Sequence, residues 1–240
     1  MSLLILTGLV LGLWGCSSTE KKADTPESLF KLAEYYEGEE RFEEALRRYN
    51  DIRQRFPYSN YAIEAELRVA DVYFKQGSFA EAQLAYESFR EQRPQHEKSD
   101  YVIFKLGLSF YHQLPDTNDR DLTLAPQAIE AFDDLIQNFP LSTHLEEAKV
   151  KRSEVESKMI DKVKYIADFY FKRKNYLSAL ERYQSLLGMT NDTEIQHWAL
   201  TRGAESAKHI GDIERQKEFE NLLKSKFSSE DSGGANAKSN

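Results

Sequence analysis

The sequence predicts an all-α chain of about five helix-turn-helix repeats stacked as a right-handed solenoid. Three observations lead there. Pro57, Pro94 and Pro140 each close a long helical pattern, and the same residue classes precede each of them at fixed distances. The pattern returns at a spacing of 37, once insertions are set aside. Gly and Pro are scarce, 11 and 6 of 240 residues, so few points break a helix.

The spacing can be read directly. Ala45, Ala82 and Ala128 lie twelve residues before their prolines, Tyr49, Tyr86 and Phe132 eight before, and Ile52, Phe89 and Leu135 five before. A small residue, an aromatic at i+4 and an apolar residue at i+7 share one helix face, and the proline ends the helix. Upstream of each stands a second apolar helix, Leu32-Ala33…Tyr36 in the first unit and Val69-Ala70…Tyr73 in the second, with Gly38 and Gly77 between the helices to turn the chain. This order of apolar, small, aromatic, alanine, aromatic and proline resembles the tetratricopeptide (TPR) family.

Two insertions disturb the period, and each can be placed. Leu106-Gly107…Phe110 stays in register with the second unit, so the nine surplus residues before Pro140 fall in the polar stretch "LPDTNDRDLTL". In the fourth unit, Ile166-Ala167…Tyr170, Tyr176, Ala179, Tyr183 and Leu186 arrive fourteen residues late. Fourteen residues are about four helical turns, so an insertion inside a helix keeps its apolar face aligned. One continuous helix is therefore expected from Leu145 to Arg173, followed by a last pair over Glu194–Ile210 and Ile213–Phe227.

Both ends read differently from this body. Leu3 to Trp14 carries no charge, the length of a signal-peptide apolar region and short of the roughly 17 to 25 residues of a membrane span. Leu13-Trp14-Gly15-Cys16 resembles the lipobox of bacterial lipoproteins, which implies lipidation of Cys16 after cleavage before it. Trp14 stands where a small residue is usual, and no Lys or Arg precedes the apolar run, so a start further upstream is expected. "SSEDSGGANAKSN" has no apolar residue beyond alanine and is expected to be disordered. The expected organisation is a signal peptide over 1–15, a lipidated linker over 16–24, repeats 1–3 over 25–141, repeats 4–5 over 142–228, and a tail over 229–240.

Chemistry is sparse. Thirty-two basic against 40 acidic residues, a net charge of −8, exclude a general nucleic-acid binder. His96, His112, His144, His197 and His209 show no metal-ligand spacing, and neither a phosphate loop nor a Gly-x-Ser-x-Gly element occurs. No catalytic residue, cofactor or metal is expected, so the chain reads as a binding protein and not an enzyme. "FKRKNY" over 171–176 holds cations that suit a helix C-terminus or contact a partner. Arg173, Lys174 and Arg182 are the candidates for partner docking.

In TPR proteins the first helix of each pair lines a groove. On that assignment Phe30, Leu67 and Phe104 occupy one position at a spacing of 37, and Glu37, Phe74 and Tyr111 another. With Tyr101 and Leu108 they make an apolar, aromatic strip, flanked by the recurrent cations Lys31, Arg68 and Lys105. Such a strip either accepts an extended peptide with aromatic side chains and an acidic end, or its side chains merely cover one another. The carboxylate clamp of TPR co-chaperones would place Lys and Asn where Phe30 and Glu34 stand.

A lipobox followed by about five such repeats is similar to the BamD (ComL/YfiO) family of β-barrel assembly lipoproteins. "SNYAIEAELRVADVYFKQGSFAEAQLAYESFREQRPQH" and "NDRDLTLAPQAIEAFDDLIQNFPLS" carry that resemblance most specifically, together with the long helix after Pro140. It implies a lipid-anchored protein on the periplasmic face of the outer membrane. It also implies that unfolded outer membrane proteins are bound largely by the N-terminal half. The POTRA domain of BamA would be bound by the C-terminal repeats, alongside other lipoproteins of the complex. A periplasmic TPR lipoprotein that scaffolds cell-wall enzymes is the alternative, and the two insertions favour the first reading.

Overall fold

The computed structural model describes residues 25–227. Among them lie ten α-helices: α1 Pro26–Gly38, α2 Phe42–Arg55, α3 Asn60–Lys75, α4 Phe79–Gln92, α5 Ser99–His112, α6 Ala125–Asn138, α7 Leu145–Lys172, α8 Tyr176–Met189, α9 Thr193–Ile210 and α10 Ile213–Phe227. No strand occurs among the described residues. This is the TPR repeat fold, five helix-turn-helix pairs in chain order. The expected signal peptide over 1–15, Cys16 with its expected linker, and the expected tail over 229–240 lie outside the described residues.

The chain forms two compact units, 25–66 and 67–227 among the described residues. In the first unit α1 packs on α2. Thr25 caps α1 through a capping box with Ser28, and Pro26 opens the helix. Leu29, Phe30, Ala33, Ala45, Tyr49 and Ile52 form its core. In the second unit α4 packs on α5, and each helix from α5 to α9 packs on its successor.

The periodic positions are the core. Ala45, Ala82, Ala128 and Ala179 are fully buried, as are Tyr49, Tyr86, Phe132 and Tyr183 one helical turn later. Three of those rings carry a hydroxyl, which requires a partner once buried. Tyr49 donates to Glu37 at 2.7 Å, Tyr86 to Asp71 at 2.7 Å and Tyr183 to Asp168 at 3.5 Å. The third repeat dispenses with the pair: Leu108 and Phe132 stand at the positions matching Asp71 and Tyr86. Gly107 also has a reason there, because a Cβ at that site would lie 2.6 Å from the Phe132 ring.

Helix α7 runs unbroken for 28 residues, about 42 Å at 1.5 Å per residue. The fourteen surplus residues are therefore helical, as the register requires. The turns within pairs depart from expectation in one detail. Gly77 and Gly211 adopt positive φ, but the matching position of the first repeat is Glu40, with φ 57°, while Gly38 ends α1. Lys174 takes the same left-handed conformation, φ 61°, between α7 and α8.

Candidate functional site

The sequence-predicted strip divides by burial. Phe30 is 7% exposed and packs edge-on to Tyr49 at 5.4 Å, inside the core of the first unit. Lys31 is exposed and pairs with Glu27 at 2.7 Å, one turn before it on α1. In the second unit Leu67 and Phe104 are 2% and 3% exposed. These apolar members fill the repeats and leave little surface for a ligand.

Phe74, Tyr101, Lys105 and Tyr111 remain half-buried in the second unit, and the fold brings them together. Residues 101, 104, 105, 108 and 111 recur at helical spacing, so one side of α5 presents them. The Lys105 ammonium lies 4.0 Å from the Phe74 ring centre and 5.8 Å from that of Tyr101. A cation held over aromatic faces is partly desolvated, and that burial draws the Lys105 ammonium below its ordinary range, against the pull of Asp71 and Glu147. Arg68, also half-buried, acts on the Asp71 carboxylate from one turn earlier on α3.

Asp71 is the centre of this arrangement. Its Oδ1 accepts from Tyr86 of α4 and from Tyr101 of α5, both at 2.7 Å. Burial pushes the Asp71 carboxyl above the carboxylate range, while the two hydroxyls and the charges of Arg68 and Lys105 oppose the rise. Burial, with the adjacent Asp71 charge, likewise raises the Tyr101 phenol.

Tyr111 is held from α7: its hydroxyl donates to Glu154 at 2.6 Å, and Lys151 lies 4.6 Å over its ring. Two imidazoles complete the strip. His112 stacks on Phe79 at 4.5 Å and meets Phe74 edge-on at 5.7 Å. Burial, then Lys151 and Lys105, draws its pKa down. His144, at the start of α7, stacks on Phe104 at 4.7 Å.

Sequence reasoning missed Asp71, His112, His144, Lys151 and Glu154 as members. One signal was available: an acid fifteen residues before a core tyrosine recurs as Asp71–Tyr86 and Asp168–Tyr183. Lys151 and Glu154 of α7 had none, because nothing local in the sequence says that this helix meets Tyr111 of α5.

The docking candidates sit on α8 and the turn before it. Arg173, Lys174 and Arg182 are all exposed. The Arg173 guanidinium lies 4.4 Å over Phe169, which is itself 41% exposed, and Leu177 nearby is 49% exposed. Among the described residues no group of three or more His, Cys, Asp or Glu side chains could hold a metal ion. None of the described helices is long and apolar enough to cross a membrane.

A family model described as YfiO, outer membrane lipoprotein, matches residues 22–222. The outer membrane protein assembly factor BamD of Neisseria meningitidis (serogroup A, strain Z2491) is 30% identical over 176 residues, covering 70% of this chain and 66% of the relative. Its namesake in Vibrio cholerae is 28% identical over 224 residues, 88% of this chain and 93% of the relative. Among solved structures, a tetratricopeptide repeat protein from Parabacteroides merdae aligns at 15% identity with a TM-score of 0.43, covering 83% of each chain.

Proposed function

Since the chain belongs to the YfiO family of outer membrane lipoproteins, we propose that it is a non-enzymatic subunit of an outer membrane β-barrel assembly complex. In this reading Cys16 carries the lipid that holds it to the periplasmic face of the outer membrane. Each buried methylene contributes about 0.8 kcal/mol, so several acyl chains retain a protein that one would not.

The observation that carries the binding half of the reading is the half-buried strip of Phe74, Tyr101, Lys105 and Tyr111. Barrel strands alternate apolar and polar residues and bear aromatic girdles. An extended strand from an unfolded barrel protein therefore offers side chains to the rings at every second residue and a carboxylate to Lys105. Arg68 steers such ligands by charge, and Leu67 and Phe104 support the strip from the core of the second unit.

Repeats 4 and 5 supply the second contact. Arg173, Lys174 and Arg182, beside the exposed rings and aliphatic groups of α7 and α8, make a cationic, partly apolar surface for the periplasmic POTRA domain of a BamA-type barrel. Other lipoproteins of the complex add to the assembly. The relatives named outer membrane protein assembly factor BamD support this assignment.

Depletion in cells tests it. Folded, heat-modifiable barrel proteins should disappear from the outer membrane as the protein is depleted. Barrel levels that stay constant while cell-wall crosslinking changes would favour a scaffold for peptidoglycan enzymes instead.

A further inference from the structure

The two departures from the repeat period meet in space. The nine surplus residues belong to the loop over 113–124, and the fourteen surplus residues lengthen α7. Leu114 and Ala125 are buried and fix the ends of the loop, but residues 115–124 contain no buried side chain. Inside the loop the hydrogen bonds are all short-range: Arg120 N–H reaches Thr117 O at 3.4 Å, Asp119 bonds the Thr117 side chain, Thr123 bonds Asp121, and Ala125 N–H donates to Leu122 O at 2.9 Å. A stretch so poor in burial should leave its path readily.

Gln113, at its start, donates to Gln83 Oε1 on α4 at 3.0 Å; beyond it, the long-range hydrogen bonds that hold the loop come from α7. Lys158 Nζ donates to the Pro115 carbonyl at 3.3 Å, and Lys162 Nζ donates to the Arg120 carbonyl at 2.6 Å. Lys151, Glu154, Lys158 and Lys162 follow at steps of three, four and four, so they share one face of the helix. The upper two members grip the end of α5, where Glu154 Oε2 accepts from Tyr111 and from Lys151. The lower two grip the loop. Both loop contacts are to main-chain carbonyls, so they fix the path of the loop whatever side chains it carries.

We infer that residues 115–124 are a strap, clasped shut on the inserted part of α7 by Lys158 and Lys162. It opens without unfolding the repeats, because its contacts lie outside the core. Closed, it presents exposed Asp116, Asp119 and Asp121 in one fixed arrangement beside the Tyr111 end of the strip. The inference does not depend on what the strip binds.

Limited digestion of the full chain with endoproteinase Asp-N, followed by intact mass, tests this at the bonds preceding Asp116, Asp119 and Asp121. Cleavage there requires the strap to lift. Lys158→Met with Lys162→Met keeps the side-chain stems and removes the charges. It should speed these cuts at least tenfold while the helical melting curve is unchanged, and Lys162→Arg should stay near the wild-type rate. Equal rates in the double variant and the wild type would overturn the inference. Should the double variant melt early, the wild type is compared with a free peptide of residues 113–124. Protection of tenfold or more supports the clasp, and cleavage at the peptide's rate overturns it.

Discussion

Tyr86 and Asp71 are buried against each other, the phenol donating to the carboxylate at 2.7 Å across α4 and α3. The third repeat shows the apolar solution at the same positions, Phe132 with Leu108. Asp71→Leu alone strands the hydroxyls of Tyr86, which is fully buried, and of half-buried Tyr101, which should cost about 1–3 kcal/mol. Adding Tyr86→Phe should recover part of that loss, although the pair loses a hydrogen bond. Urea midpoints of both single variants and the double measure it, and a double variant less stable than Asp71→Leu would contradict it.

The same carboxylate makes stability depend on pH. Burial raises its folded pKa above the ordinary 3.8, so the folded state binds the proton more tightly than the unfolded chain. The stability this group contributes is complete below 3.8 and is lost as pH rises through the folded value. Asp71→Asn keeps an acceptor and removes the titration. The wild type should therefore lose stability relative to Asp71→Asn from pH 3.8 upward, read as urea midpoints across that range.

Gly107 lies under the Phe132 ring, and a methyl there would meet it at 2.6 Å. Gly107→Ala should destabilise by about 1–3 kcal/mol through overpacking. Combining it with Phe132→Leu should cost less than the two changes added. Thermal melts of the four proteins of that cycle decide it.

At Lys174 the docking assignment and the backbone can be separated. Its φ of 61° strains any residue with a Cβ. Lys174→Gly should stabilise the fold by about 0.5–1 kcal/mol while weakening partner binding. Unchanged stability would mean that the Lys174 side chain offsets the strain through its surroundings.

The strip separates in the same way. Phe104→Ser empties a core site and should destabilise by about 3 kcal/mol or more. Phe74→Ser should leave folding nearly intact, yet weaken a peptide bearing the last strand of a barrel protein about fivefold, equivalent to about 1 kcal/mol for one aromatic and cation contact. Calorimetric titration of folded Phe74→Ser checks it; equal affinity would mean that the ring only packs.

The repeat register was legible because core positions obey a local period. Ala45, Tyr49 and Ile52 face one way for reasons about two turns of helix settle, and the length of α7 followed from Ile166 and Ala167 arriving four turns late. Burial within the strip was less legible. Phe104 and Phe74 are both aromatic at period-locked positions, and only the neighbouring helices decide which is covered. The left-handed turns at Glu40 and Lys174 gave no signal either, since neither residue favours positive φ and tertiary packing imposes it. Lys151, Lys158 and Lys162 look like ordinary solvated cations until the loop is laid against them.

Membership in a barrel-assembly complex is the central claim, and co-purification tests it most directly. The tagged full chain is isolated from detergent-solubilised envelopes beside Arg173→Glu, Lys174→Glu, Arg182→Glu, and bound proteins are quantified by mass spectrometry. The expected result is one dominant outer membrane barrel with periplasmic POTRA domains on the wild type, reduced at least tenfold on the folded triple variant. A wild type that brings down cell-wall enzymes and no such barrel would contradict the account.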